Sequence, residues 1–357
     1  MAIAQDISPP TVRMDRRHRA RIAHIWLALL LGLVCMGSLA TGASSVSLWS
    51  VLAKLVSGQP LDMLERTVLW DIRAPRTILG LLVGAGLAVS GTVMQGLLRN
   101  PLAEPGIIGV SAGAALGAIS AIVLGGLLPL WLQDAVGNHL VPLAAFIGAL
   151  VTMLVLYRVA TRNGQTSVVT LLLAGIAIGA LSGAVSGLLI YRANDQQLRD
   201  LTFWSMGSLA GASWAKVATA GALILIAGGA AAMLGRGLNG LALGEATAAH
   251  LGFRVQWLKN AGIFTVAAAT GAAVAVSGVI GFVGIVVPHL LRLSTGPDHE
   301  PLLINAALLG ASLLLMADMI SRVVIAPAEL PIGIVTALLG APVFLWILLR
   351  GRKGMGL

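Results

Sequence analysis

Residues 73–114 read "RAPRTILGLLVGAGLAVSGTVMQGLLRNPLAEPGIIGVSAGA", two apolar runs separated by a polar break that contains two prolines. The first run is long enough for a helix of about 20 residues, which is the length that crosses a hydrocarbon layer of roughly 30 Å. Pro75 suits the first turn of such a helix, because its missing N–H is not needed there. The stretch therefore predicts two membrane spans, with two unneutralised guanidinium groups, Arg73 and Arg76, where the first one begins.

The composition is that of an integral membrane protein. Hydrophobic residues make up 57% of the 357 residues and charged residues 10%, and a water-soluble fold could not bury so much apolar surface. The 44 glycines suit helices that approach closely through small residues. The net charge of +9 would suggest nucleic acid as a partner of a soluble protein, but here basic loops mark the cytoplasmic face, and no nucleic-acid partner is expected. The single cysteine, Cys35, excludes an intrachain disulfide and a thiolate metal site.

Ten apolar runs are candidate membrane spans, and they predict an all-α polytopic fold in which residues 1–357 form one transmembrane domain. The eighth run is the shortest and is interrupted by Pro288. The predicted spans cover residues 22–43, 76–98, 107–128, 139–160, 167–190, 213–234, 257–277, 279–295, 302–323 and 331–350.

The distribution of basic residues predicts the orientation. With ten spans both termini lie on one side, and the loops of that side hold most of the 23 lysines and arginines, so the positive-inside rule places both termini in the cytoplasm. The basic segment 1–21 then stays inside, and the long apolar run after it favours an uncleaved first span over a secretory signal. Arg73, Arg76 and Arg322 fall on the outer side, where basic residues are scarcer.

Two short stretches suggest an internal repeat. "GLAVSGTV" at 86–93 and "AVAVSGVI" at 273–280 share the sequence AVSG, and the predicted topology places them on spans of opposite direction. Such a pair is typical of the inverted repeats from which many transporters are built. Coincidence in a sequence rich in alanine and glycine is the alternative.

No catalytic or metal-binding pattern is evident. The P-loop motif GxxxxGK[ST] is absent, the six histidines lack metal-ligand spacing, and no paired carboxylates or nucleophile–base motif indicate an intramembrane enzyme. The energy for any transport must then come from a partner or an ion gradient. A gradient-driven transporter needs ionisable groups inside the membrane, and only Asp318 qualifies. Because it lies four residues before Arg322, a local ion pair explains it more simply.

The longest polar interruption on the predicted cytoplasmic side is residues 235–256. Within it, "LGEATAAHLG" at 243–252 predicts a short helix that ends at Gly252. A helix on this face is a surface for a soluble partner, and a plain interfacial connector is the alternative.

Four stretches carry a resemblance to a known family. They are residues 73–114, "LALGEATAAHLG" (241–252), "SGVIGFVGIVVPHLLRL" (277–293) and "ELPIGIVTALLGAPVFLWILL" (329–349). Together they resemble the FecCD-like permease subunit of type II ABC importers, a family of the bacterial inner membrane that takes up iron-siderophores, haem and cobalamin. The resemblance implies a homodimer with the pathway at its axis, two cytoplasmic ATPase subunits that bind ATP and Mg, and a periplasmic substrate-binding protein. On this basis the chain binds no cofactor itself.

The resemblance also implies roles for particular residues. Those expected to contact the ATPase are Gly244, Glu245, Ala246, Thr247 and His250. Those expected to receive carboxylates of the binding protein are Arg73, Arg76 and Arg322. Charge-assisted arginine–carboxylate pairs suit that task because they steer the encounter and fix its register. Arginines that reach lipid phosphates are the alternative.

The cargo is predicted from the outer segment 191–214, which resembles the haem branch of the family. Haem is flat, amphipathic and anionic at its propionates, so Arg192 and Arg199 would suit the mouth of its path, although they could equally solvate the loop. Side chains that could ligate or contact it are Met94, Tyr191 and Met206, and no spacing selects one. A ferric siderophore or cobalamin remains the alternative within the family, and a gradient-driven secondary transporter is the alternative outside it.

Overall fold

The computed structural model describes residues 16–42, 46–163 and 165–352, and over these ranges the fold is all-α, as predicted. The apolar runs form α1 (Arg16–Ala40), α4 (Ala74–Leu98), α5 (Val110–Leu124), α7 (Leu140–Ala160), α8 (Val168–Tyr191), α10 (Trp214–Met233), α13 (Val255–Ser277), α14 (Val283–Thr295), α15 (His299–Val323) and α16 (Ile332–Arg352). The shorter helices are α2 (Leu48–Val56), α3 (Met63–Arg66), α6 (Leu130–Val136), α9 (Asp195–Ser205), α11 (Gly235–Ala242) and α12 (Glu245–His250). A hairpin of two-residue strands, β1 (Thr161–Arg162) and β2 (Gln165–Thr166), joins α7 to α8.

The described helices confirm the predicted spans. Eight are long and apolar enough to cross a membrane, and α14 and residues 332–346 of α16 are shorter apolar helices that bring the number to ten. The predictions for α7, α8 and α10 agree within one residue at each end. The eighth span is shorter than predicted, because residues 278–282 are not helical and α14 begins only at Val283.

The first two spans begin earlier than predicted. Helix α1 is already present at Arg16, its first described residue, instead of residue 22, because the arginines and Ala20 before the apolar run are good helix formers. Residues 1–15 of the basic N-terminal segment lie outside the described residues. The second span begins at Met63 instead of residue 76 and continues without interruption to Leu98.

A π-helical segment, Thr67–Arg73, joins α3 to α4 directly before Pro75. Pro75 lies in the first turn of α4, as predicted, although α4 continues directly from the π-helical segment instead of beginning a separate helix. Its ring nitrogen has no hydrogen to donate to the preceding turn, and the wider π-helical winding ends just before it. Arg73, the last residue of the π-helical segment, and Arg76, in the first turn of α4, are both buried.

The helices alternate in direction, so the bundle has two ends. We call the end that holds the start of α4, the end of α15 and the 324–331 connection the Arg76 end. We call the other the α12 end, which holds α11, α12 and the β1–β2 hairpin. The first described residue of α1 and the last of α16 both lie at the α12 end.

Helix α4 lies at the centre of the bundle, packed against α15, α13, α10 and α14. Glycines allow its backbone to touch two of these neighbours. A Cβ atom added at Gly91 would lie 1.9 Å from the carbonyl oxygen of Gly284 in α14, and one at Gly84 would lie 2.4 Å from that of Gly310 in α15. The expected packing through small residues is therefore present at the core.

The two AVSG stretches of the predicted internal repeat do not occupy equivalent positions in their helices. The first lies in the middle of α4, whereas the second ends at Gly278, just beyond the last turn of α13. Gly91 packs against α14, and Gly278 lies against the carbonyl of Trp204 in the last turn of α9. The inverted repeat stays a prediction, and these two stretches alone do not support it.

The contact between Gly91 and Gly284 can be tested by adding one methyl group. We expect Gly91→Ala to lower the free energy of unfolding by about 1–3 kcal/mol, the usual cost of overpacking, because backbone atoms fill the space. Gly228→Ala in α10 is the control, since a Cβ there meets nothing within 4 Å. Thermal unfolding of the purified protein in detergent measures both, and equal stability of the two variants would contradict the packing argument.

Candidate functional site

The Arg76 end contains a buried carboxylate shared by two arginines. Asp318 of α15 is completely buried, and Arg76 of α4 donates to its Oδ1 from Nη2 at 2.9 Å. Arg322, one turn later on α15, donates to its Oδ2 from Nε at 2.9 Å. The predicted local pair between Asp318 and Arg322 is confirmed, and the bond to Arg76 links it to α4.

Glu329 supplies a second carboxylate to Arg76. Nη1 of Arg76 lies 2.7 Å from Oε1 of Glu329, and Nη2 lies 2.9 Å from Oε2, so the pair is bidentate. The hydrogen bonds from Arg76 hold the pKa of the Glu329 carboxyl below its usual value. The pair is therefore intact at neutral pH, and its contribution to stability is lost as the pH falls through that lowered pKa.

Arg73 and Arg322 also bind the end of α1. Nη1 of Arg73 donates to the carbonyl oxygens of Leu39 at 2.9 Å and Val46 at 3.2 Å. Nη1 of Arg322 donates to that of Ser38 at 3.1 Å. Carbonyls in the last turn of a helix have no partner within the helix and carry partial negative charge, so cations stabilise them. Two arginines thus fasten the end of α1 to α4 and α15.

The structure brings the three predicted docking residues together, but it corrects the expectation of unneutralised charges. Arg73, Arg76 and Arg322 are all buried, and the carboxylates of Asp318 and Glu329 neutralise the latter two. A cavity of about 190 Å³ lies beside them, lined by all three arginines and Glu329. Any partner would therefore reach the guanidinium groups through this cavity, which we call the arginine pocket. The docking role itself stays a prediction.

At the other end, α12 forms where the sequence predicted a short helix. Gly244 and Gly252 flank it with φ angles of +105° and +87°, a backbone region that favours glycine. Ala248 is buried against the bundle, whereas Ala246, Thr247 and His250 are exposed. The helix therefore presents most of the predicted contact residues on a free surface, while their contact with an ATPase stays a prediction.

Glu245, the remaining predicted contact residue, pairs with a lysine of the bundle. Its carboxylate lies 2.7 Å from Nζ of Lys259 in α13, and the same Nζ donates to the carbonyl oxygen of Thr166 at 3.0 Å. Gln256 adds a further link, because its Oε1 accepts from the Thr166 N–H at 2.9 Å. Lys259 thus joins α12 to the β1–β2 hairpin beside a polar cavity of about 510 Å³.

The predicted pathway residues do not line one surface. Met94 is completely buried in the core, where its flexible side chain fills space between helices. Tyr191 is 91% exposed at the end of α8, Arg192 is also exposed, and Arg199 is bonded to Gln196 on the outside of α9. Met206 ends α9 and is half-buried. In the described chain Met94 therefore packs in the core, and the five residues do not come together at one site.

A cavity of about 400 Å³ does lie beside α9, but other residues line it. Phe203 and Trp204 provide aromatic walls, with Asp200 and Lys216 as the charged groups. These residues belong to the predicted outer segment 191–214 or follow it closely. The cavity therefore lies at the predicted outer segment, and the pathway role of Met94, Tyr191, Arg192, Arg199 and Met206 stays a prediction.

Sequence reasoning also missed Glu104, which follows α4 in the stretch "NPLAEPG". Burial raises the pKa of its carboxyl, an effect opposed by a hydrogen bond from the backbone N–H of Phe282. Phe282 precedes α14 with a φ angle of +69°, so the carboxylate caps the start of the short eighth span. An acidic residue between two apolar runs was the available signal.

Comparison with known proteins identifies the group to which these features belong. The FecCD transport family matches residues 29–350. The hemin transport system permease protein of Yersinia pestis is 46% identical over 343 residues, which cover 95% of this chain and 99% of that protein. The vitamin B12 import system permease protein of Escherichia coli O9:H4 (strain HS) is 47% identical over 289 residues, which cover 80% and 84%.

A solved structure agrees with these relatives. It is an inward-facing conformation assigned to the metal-chelate type ABC transporters, with a TM-score of 0.80 and 33% sequence identity. The match covers 92% of this chain and 99% of that one. The fold described above is therefore similar to a known transporter fold over nearly its whole length.

The shared carboxylate at the Arg76 end predicts a large effect of one substitution. Asp318→Asn leaves Arg76 and Arg322 buried with one charge partner fewer, so we expect the free energy of unfolding to fall by about 3–5 kcal/mol. The control is Asp62→Asn, because Asp62 is exposed and Lys54 keeps its other partner, Glu65. Thermal unfolding in detergent compares them, and a stable Asp318→Asn protein would show that the buried charge is dispensable.

Proposed function

The chain belongs to the FecCD transport family and is a permease subunit of an ABC importer, and on that basis we propose that its cargo is haem. The observation that supports haem is the similarity to a hemin permease over nearly the full length of both chains. The vitamin B12 permeases, similar over a shorter part, make cobalamin the second candidate. A ferric siderophore is the third, given the metal-chelate type of the structural relative.

The cavity beside α9 supports an amphipathic cargo. Phe203 and Trp204 offer apolar surface for a flat ring, and Lys216 offers a cation for a carboxylate such as a propionate. In the described chain Nζ of Lys216 donates to the carbonyl oxygen of Gly211 at 2.7 Å, and a cargo carboxylate could take the place of that oxygen. Such a site would receive cargo at the Arg76 end without holding it tightly.

We propose that the α12 end faces the cytoplasm of the bacterial cell and docks the ATPase, which binds ATP and Mg. Two observations support this orientation: most of the described lysines and arginines lie at that end, and α12 exposes Ala246, Thr247 and His250 there. Movement of the docked ATPase would reach α13 and the β1–β2 hairpin through Lys259. Glu245 would then act as the inner anchor of α12 instead of a direct contact.

The Arg76 end would face the periplasm and receive the substrate-binding protein. The arginine pocket supports this, because its three guanidinium groups suit a carboxylate from a partner. A second copy of the chain would complete the pathway. Helix α8 supports a copy-to-copy contact: Gly179, Gly183 and Gly187 recur every four residues, and a Cβ on any of them would meet nothing within 4 Å.

Reconstitution tests the cargo directly. The permease and its ATPase are placed in liposomes, and a haem-binding protein, a cobalamin-binding protein or a ferric siderophore-binding protein is supplied with its ligand. We expect ATP-dependent uptake with haem and little with the other two. Uptake of cobalamin or ferric siderophore alone would replace haem as the cargo, and uptake driven by an ion gradient without the ATPase would contradict an ABC importer.

The ATPase contact is tested by a bulky charge on the exposed face of α12. We expect Thr247→Arg to reduce the ATPase retained on the purified permease several-fold, because Thr247 lies on the free surface and substitution there leaves the core intact. The control is Ser294→Arg, an exposed position at the same end of the bundle but on α14. Equal retention in the two variants would place the ATPase contact elsewhere.

A further inference from the structure

We propose that Glu329 is an internal competitor for the docking carboxylate: it occupies Arg76 in the free permease and must give way when the substrate-binding protein docks. The inference rests on the proposed docking at the Arg76 end and adds a regulatory residue to that site. Four features of the arginine pocket support it: its charge, its hydrogen-bond geometry, the place of Glu329 in the fold and the energetics of exchange.

The charges of the pocket are nearly balanced in the free chain. Three guanidinium groups face two carboxylates, Asp318 and Glu329, and the end of α1 adds carbonyl dipoles. Asp318 is completely buried and does not line the pocket, whereas the Glu329 side chain is 39% exposed and does. A partner approaching the pocket therefore meets Arg76 with a carboxylate already in place.

The geometry of Glu329 is that of a docking carboxylate. Arg76 offers its Nε and Nη2 to Asp318 and its two terminal nitrogens to the two oxygens of Glu329. This bidentate arrangement is the one that arginine prefers with any carboxylate. A glutamate or aspartate of a binding protein would need the same nitrogens, so it and Glu329 compete for one position.

Glu329 can leave without disturbing the bundle. It belongs to the 324–331 connection between α15 and α16, whereas Asp318 is held within α15. The backbone just after it is fixed independently, because the Leu330 N–H donates to the Ser321 carbonyl and the Ile332 N–H to the Gly207 carbonyl. Arg76 keeps its bond to Asp318 when Glu329 departs, so no buried charge is left without a partner.

The exchange would keep docking reversible. When a partner carboxylate displaces Glu329, one ion pair forms and another is lost. The net gain in binding free energy is therefore smaller than it would be for an arginine without a carboxylate partner. A binding protein that delivers its cargo must also leave, and a weakened docking contact favours release. Removal of the Glu329 charge should therefore strengthen docking. If Glu329 were only a structural partner of Arg76, its removal would leave docking unchanged or weaken it.

The experiment measures the dissociation constant between the haem-binding protein and the permease–ATPase complex in lipid nanodiscs. We expect Glu329→Gln, which keeps the shape of the side chain, to tighten docking roughly three- to tenfold. Glu329→Asp keeps the charge but is shorter, and it should give an intermediate constant. The control is Glu300→Gln at the α12 end, because Glu300 is about as exposed as Glu329 and also pairs with an arginine, Arg236. Its docking should match the wild type.

A fourth variant separates failure of the inference from failure of the docking proposal. Arg76→Lys keeps the charge beside Asp318 but loses the bidentate fork, so it should weaken docking. If Arg76→Lys docks normally, the arginine pocket is not the docking site and both proposals fall. If Arg76→Lys docks weakly while Glu329→Gln docks no better than the wild type, only the competitor role is overturned. A single cooperative thermal transition in each Glu329 variant, lowered by no more than the loss of one partly exposed ion pair, confirms that the variants are folded.

Discussion

Asp318 has no access to solvent, and its charge is tolerated there because Arg76 and Arg322 both donate to it. These bonds join α4 to α15, and Arg322 extends them to the last turn of α1. Through Glu329, Arg76 also binds the 324–331 connection, which leads to α16. One buried carboxylate thus organises the end of four helices, beside a small pocket whose lining includes three arginines.

The sequence predicted the helices well where hydropathy alone sets their limits. Spans such as 139–160 and 213–234 begin and end with the apolar run, because the residues that follow it at once are more polar. It failed where a helix continues beyond the apolar run, as at Met63–Leu98, because hydropathy does not report helix in the more polar residues before that run. It also overestimated the eighth span, where non-helical residues 278–282 are as apolar as the helix itself.

The contacts at the two sites were likewise predictable only where they are local in sequence. Asp318 and Arg322 are four residues apart, so helical spacing predicted their pair. The bonds of Arg76 to Asp318 and Glu329 join residues more than two hundred positions apart, and no local pattern contains them. The pair of Glu245 with Lys259 was missed for a related reason: Gly252 ends α12 between them and lets the chain reverse. Composition located the charges, whereas the fold decided which of them meet.

Helix α4 connects the two ends of the bundle physically. It carries Arg76 near its start, touches the backbone of α15 at Gly84 and of α14 at Gly91, and reaches His299 and Leu238 near Gly96 at the α12 end. Backbone contacts of this kind leave no side chains to rearrange, so α4, α14 and α15 are held in one rigid relation. A displacement at the α12 end must either move Arg76 with α4 or break these contacts. Because Arg76 and Asp318 lie on two of the held helices, their pair would move as a unit, while the bond to Glu329 on the connecting loop is the one free to change.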